Sequence, residues 1–191
     1  MTTRLDTRQA LLDGARECLA RQGFLSTTAR DIAAASGANL RSIGYHYGSV
    51  QGLLTTALSE NFRSWMAPLV AATAEGEDDP AARLAEGLDR FARSLPENGG
   101  MVRAWVQAVA AAPPRSELHA RLAANQAWFR DRLAATLAAT GADRPADAAA
   151  AIITVCDGLM LRVLLHGTAP TPAELAADAA RALSGPGEDA V

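Results

Sequence analysis

Lysine is absent from this chain, and all 18 of its cationic side chains are arginine. With 44 alanines among 191 residues, that pattern reflects a GC-rich coding bias and says nothing about mechanism. Cysteine is scarce. Cys18 and Cys156 lie far apart inside apolar helical patterns, which excludes a disulfide framework and points to two reduced core thiols. Strand signals are nearly missing. The longest apolar run, Ala148 to Cys156, is much shorter than the roughly 20 residues of a membrane span. Met1 to Gln9 is polar and charged, unlike a secretory leader, so the expected location is the cytoplasm. No nucleophile–base pair, glycine-rich phosphate loop or paired-carboxylate motif occurs, which argues against an enzyme. His46, His119 and His166 have no partners at metal-ligand spacing, so neither a metal nor a cofactor is expected.

What is present is helix. Ala, Leu, Arg and Glu dominate, and glycine, proline and capping residues recur at helix-length intervals. The expected fold is all-α with about nine helices. The first carries Leu11, Leu12, Ala15, Cys18 and Leu19 and stops at Gly23. A second, Ala29 to Ala35, is capped by Thr27 or Thr28, with Asp31 in its first turn. Gly37 supplies a turn, Asn39 caps a third helix ending near Tyr47, and Gly48 stops it. Ser49 opens a longer fourth. Five more follow over 81–95, 101–112, 116–140, 146–166 and 172–183, and a disordered tail is expected from Ser184.

Charge is unevenly spread. Residues 1–50 carry six arginines against four acids, whereas the remainder carries twelve against seventeen. An anionic partner for the N-terminal part fits this. Two short helices around a glycine turn, braced by a preceding helix, outline a helix-turn-helix. Ile32 and Ile43 face inward, leaving Asn39, Leu40, Arg41, Ser42 and Tyr45 outside on the second helix of the pair. Arg41 can fork onto a guanine edge and Leu40 can meet a thymine methyl, while Asn39 and Ser42 can bond to bases or phosphates. Thr27, Thr28, Tyr45, His46 and Tyr47 are of the kind that hold phosphates.

The segment "TTARDIAAASGANLRSIGYHYGSVQGLL" resembles the DNA-binding domain of TetR/AcrR-type transcriptional regulators. The shared features are a threonine-initiated helix, an Asp-Ile-Ala step, a glycine turn, and an aromatic-His-aromatic close before a Gly-Ser entry into helix four. The resemblance implies a DNA-binding domain over 1–48 and a helical effector-binding and dimerisation domain over 49–191. It further implies a homodimer on a palindromic operator. Two positions depart from the pattern. Gly44 replaces a usual aromatic, and Val50 replaces a usual lysine that pairs with phosphate. These departures keep alive an alternative: a small-molecule binding protein of the same fold with weakened or lost DNA binding.

Beyond residue 50 the aromatics and methionines cluster. Trp65, Met66, Phe91, Met101, Trp105, Trp128 and Phe129, with Asn125 as a polar orienting group, are the candidate lining for a hydrophobic small-molecule effector. The eighth helix is apolar around most of its circumference and calls for a covering partner. Asp157, Met160, Leu161, Leu164, Leu165 and Leu175 are the candidate dimer interface.

Overall fold

The computed structural model describes residues 4–74, 80–171, 173, 174 and 177. Among them the chain forms eight α-helices and no strand. They are α1 (Arg4–Gln22), α2 (Ala29–Ser36), α3 (Leu40–Tyr47), α4 (Val50–Ala74), α5 (Pro80–Ser94), α6 (Gly99–Ala111), α7 (Glu117–Ala139) and α8 (Pro145–His166). The all-α expectation holds, and eight helices stand where about nine were expected. The ninth, over 172–183, falls largely outside the described residues; Leu175 and the tail from Ser184 lie outside them altogether.

One boundary differs instructively. The Gly99-Gly100 pair reads as a loop, yet α6 starts at Gly99. Gly100 sits directly against the Ala20 carbonyl oxygen of α1, with no room for a Cβ. The glycine that weakens a helix in isolation is here what lets two helices meet.

The described residues fall into two compact units, one built from Met1–Ala67 with Glu97–Arg132 and the other from Pro68–Pro96 with Leu133–Val191. In the first, Leu11, Leu19, Ile32, Ile43, Leu53 and Leu58 form the core under α2 and α3. Gly14 of α1 permits a close crossing with α2, since a Cβ there would stand 2.9 Å from the Ser36 nitrogen. Further along, Phe62 of α4 stacks on Trp105 of α6 at 4.3 Å and meets Phe129 of α7 edge-on at 6.1 Å.

In the second unit Leu88 and Phe91 of α5 and Leu95 just after it are buried, as are Ile152, Cys156, Leu159, Met160 and Val163 of α8. Both cysteines are free and buried. Burial pushes the thiol of Cys156 up to about 12, so it stays protonated and acts as a small apolar side chain. Although its longest apolar run is short, α8 as a whole is long and apolar enough to cross a membrane by length and composition, with a third of that window buried in the protein. The interruptions Thr154, Asp157 and Arg162 are too few to lower its average. Its outward side exposes Val155, Leu161, Leu164 and Leu165.

Candidate nucleic-acid interface

The paired helices α2 and α3 are set by local chemistry that can be followed bond by bond. Thr28 is the N-cap of α2: its Oγ1 accepts the Asp31 N–H at 3.3 Å, and the Asp31 carboxylate accepts the Thr28 N–H at 2.9 Å. This reciprocal capping box satisfies donors that a helix start leaves open. Asp31 also accepts from the Thr28 hydroxyl at 2.7 Å and from Gln22 of α1 at 3.0 Å, tying the start of α2 to the end of α1. Those bonds, the Thr28 hydroxyl foremost, hold the Asp31 carboxyl below the usual carboxylate range.

A lowered pKa in the folded state gives stability that is complete above the unfolded value of about 3.9 and is lost as pH falls through the folded value beneath it. Acidification from pH 5 towards pH 3 is therefore expected to loosen α2. Asp31→Asn should remove that part of the pH dependence, as followed by melting temperature against pH. A variant whose acid profile matched the parent would show that Asp31 contributes nothing to it.

Gly37 ends α2 in the left-handed conformation at φ 65°, and Asn39 caps α3 by accepting the Arg41 N–H at 2.9 Å. With Ile43 buried against the core, α3 presents Leu40, Arg41, Gly44 and Tyr45 to solvent. Tyr45 is two-thirds exposed, and its ring stands edge-on to His46 at 4.9 Å. Ser42 and His46 are half-buried at the margin of this face. Tyr47 turns inward. Its hydroxyl donates to the Arg8 carbonyl at 2.8 Å, its ring lies under the Arg8 guanidinium, and burial pushes its phenol up.

Thr27 is buried and donates its hydroxyl to the Gly23 carbonyl at 2.6 Å, bracing the α1–α2 corner. A residue the sequence reading passed over is Arg30, exposed on α2. Arg16 pairs with Asp13 and Glu60, and Arg21 with Glu17, whereas Arg30 and Arg41 enter no ion pair among the described residues. The local excess of arginine over acid was the signal that could have found it.

Gly44 is exposed, and a Cβ there would meet nothing within 4 Å. Gly44→Ala should stabilise the protein by roughly 0.5–1 kcal/mol through helix propensity alone. Urea unfolding measures this; a loss of stability would mean that position 44 is not the open site it looks. Val50 opens α4 half-buried, next to Ser49, whose Oγ accepts the Gly52 N–H at 2.9 Å.

Among the candidate effector residues, Trp105 and Phe129 meet through Phe62. Met66, Met101, Trp105 and Phe129 are buried in the first unit and Phe91 is buried in the second. Trp65 and Trp128 are half-buried. Asn125 is 1% exposed and uses its amide within the protein, donating to Ser59 at 2.8 Å and accepting from Arg63 at 3.2 Å. Arg63 in turn lies over the Trp128 ring. Phe62, absent from the expected set, is central to the cluster.

A cleft of about 130 Å³ opens elsewhere, between the first turns of α4 and α7, lined by Ser49, Gln51, Thr55, Ser116, Glu117 and Arg121 among others. That is smaller than the roughly 300–1,000 Å³ of ordinary ligand pockets. Of the interface candidates, Leu161, Leu164 and Leu165 are exposed, Asp157 is half-buried, and Met160 is buried within its own protomer.

The helix-turn-helix and its exposed reading face define a DNA-binding regulator, and comparison with known proteins gives the family. The family model for bacterial regulatory proteins of the TetR family matches residues 11–57, and that for the BetI-type transcriptional repressor C-terminal domain matches residues 80–185. The chain belongs to the TetR family of transcriptional regulators. Among solved structures it is similar to a TetR transcription regulator from Haloarcula marismortui, at 20% identity, TM-score 0.70, and coverage of 94% of this chain and 96% of that one. The multidrug binding protein EbrR, solved with imidazole, is 26% identical at TM-score 0.66, over 92% and 93% of the two chains. A protein described as a transcriptional regulator from Saccharomonospora viridis, in complex with choline, is 23% identical at TM-score 0.67, over 85% and 88%. No curated protein matches the chain.

Proposed function

We propose that this TetR-family regulator is a non-enzymatic, cytoplasmic repressor that binds a palindromic operator as a homodimer and is released by a small hydrophobic effector. The observation that carries the reading is the outward face of α3. Leu40, Arg41 and Tyr45 stand in solvent while Ile43 anchors the helix from behind. Arg41 would read a base edge, and Leu40 would meet a thymine methyl. Tyr45, His46, Ser42 and Asn39 would flank them on the sugar–phosphate backbone. Thr28 and Arg30, at the start of α2, would hold a phosphate.

The exposed leucines of α8 would bury against a second copy and present two reading heads to two half-sites. The effector would enter at the cluster around Trp65, Trp105 and Trp128. The structural neighbours solved with choline and with imidazole support a small-molecule site in this fold. Effector and operator would oppose each other by linkage, with a coupling of about 1–3 kcal/mol.

Selection from a pool of random duplexes tests the core of this. Enrichment of an inverted repeat is expected, and Arg41→Ala should weaken binding to it by about 1–3 kcal/mol while relaxing preference at one base pair. Failure to enrich any duplex, even at low salt where phosphate contacts are strongest, favours a second reading. In that reading the empty space at Gly44 and the uncharged Val50 mark a small-molecule binding protein that has lost its operator.

A further inference from the structure

Gln107 lies on α6, yet its side chain reaches the corner between α1 and α2. Its Oε1 accepts the backbone N–H of Phe24 at 2.8 Å and that of Leu25 at 3.4 Å. Both N–H groups lie just past the end of α1, where the chain has left the helical path and these donors no longer meet the carbonyls of the last turn. Gly23 makes the approach possible. Its φ is +84°, and a Cβ there would collide with the Gln107 Oε1, so both conformation and space call for glycine. On the same helix Gly100 lies against the Ala20 carbonyl, which fixes α6 on α1 at a second point.

The corner in turn holds α2. Thr27 donates to the Gly23 carbonyl, and Gln22 donates to the Asp31 carboxylate that closes the capping box. Two residues before Gln107, Trp105 stacks on Phe62. One short helix therefore touches both the aromatic cluster and the corner from which α2 begins.

We propose that Gln107 is a positioning residue: its side-chain oxygen sets the attitude of α2, and with it α3, so that operator affinity follows any displacement of α6. The proposal rests on the DNA-binding reading above. It differs from a packing role because the group that matters is one acceptor atom and not side-chain bulk.

The test uses the full-length protein and a duplex it enriches from a random pool. Gln107→Met keeps the length and removes the acceptor, whereas Gln107→Glu keeps an acceptor oxygen in place. Operator Kd is read by fluorescence anisotropy across salt concentrations, and amide hydrogen exchange is read at Phe24 and Leu25. Gln107→Met should bind about tenfold more weakly, the factor set by leaving backbone donors without their acceptor. Its salt slope should be unchanged, because no phosphate contact is lost. Exchange at Phe24 and Leu25 should be faster, and Gln107→Glu should restore both readouts.

A folded Gln107→Met protein that keeps wild-type affinity overturns the proposal and leaves the DNA-binding reading intact. So does a Gln107→Glu protein that fails as badly as Gln107→Met. If Gln107→Met does not fold, the wild-type protein decides: unprotected amides at Phe24 and Leu25 overturn the proposal. A wild-type protein that enriches no duplex removes the DNA-binding reading, and the affinity half of the proposal falls with it.

Discussion

Replacing Leu161 and Leu165 together with glutamate is expected to convert the proposed homodimer into protomers and to lower operator affinity by roughly 10²–10⁴. Both side chains are exposed on α8, at 49% and 77%. They contribute little to their own protomer's core, so the fold should survive the change. Gly158, between them and Val155 along the helix, has no neighbour within 4 Å of where a Cβ would stand, which leaves room for the close approach of a second helix. A carboxylate placed in such a contact loses its water without gaining a partner. The size of the loss on DNA comes from geometry: two heads joined in one dimer make the second half-site encounter intramolecular, and separated heads forfeit that advantage. Sedimentation of the free protein and anisotropy on the selected duplex measure the two halves. A double variant that still sediments as a dimer would place the interface away from this part of α8.

Phe129→Ala is expected to cost about 3–5 kcal/mol of stability, the range for removing a buried aromatic ring. The side chain is 1% exposed and meets Phe62 edge-on, and Phe62 stacks on Trp105, so one deletion disturbs rings drawn from three helices. Aromatic pairs of this kind add about 0.5–1.5 kcal/mol beyond their buried area. Urea unfolding with a matched slope measures the loss. A change under about 1 kcal/mol would mean that the cluster is loose enough to collapse around the gap, as a site built to open for a ligand would be.

The reading head was largely legible in the sequence because its signals are local. Asp31 three residues after Thr28, Gly37 after α2, Asn39 before α3 and Gly48 after it each act within one turn of the helix they bound. What could not be read was the choice between near-equivalent neighbours. Thr27 and Thr28 are adjacent and alike, and only the packing of the corner decides that one is buried and the other caps. The same holds on α8. With apolar residues on every side, its sequence has no polar stripe to fix the phase, so buried Met160 and exposed Leu161 look interchangeable. The bonds from Gln107 to Phe24 and Leu25 span 83 and 82 residues and leave no local trace at all. Of the aromatic set, Trp105 and Phe129 are joined through Phe62, which the set lacked; they stand out in the sequence because they are large and rare in a background of alanine. Composition could not tell that their faces are turned toward each other.

The vacancy beside Arg41 and Tyr45 has a meaning for lineage as well as for contact. At most positions of a reading helix, changing the side chain disturbs either the packing behind it or a contact already in use. Position 44 has neither constraint, for a side chain there would meet open space, and its one bond, the carbonyl accepting the Gly48 N–H at 3.0 Å, is made by the backbone. Under the proposed reading of α3 on DNA, one substitution here would give a new operator preference without passing through an unstable ancestor. The regulator's descendants could then diverge in target while keeping the same scaffold.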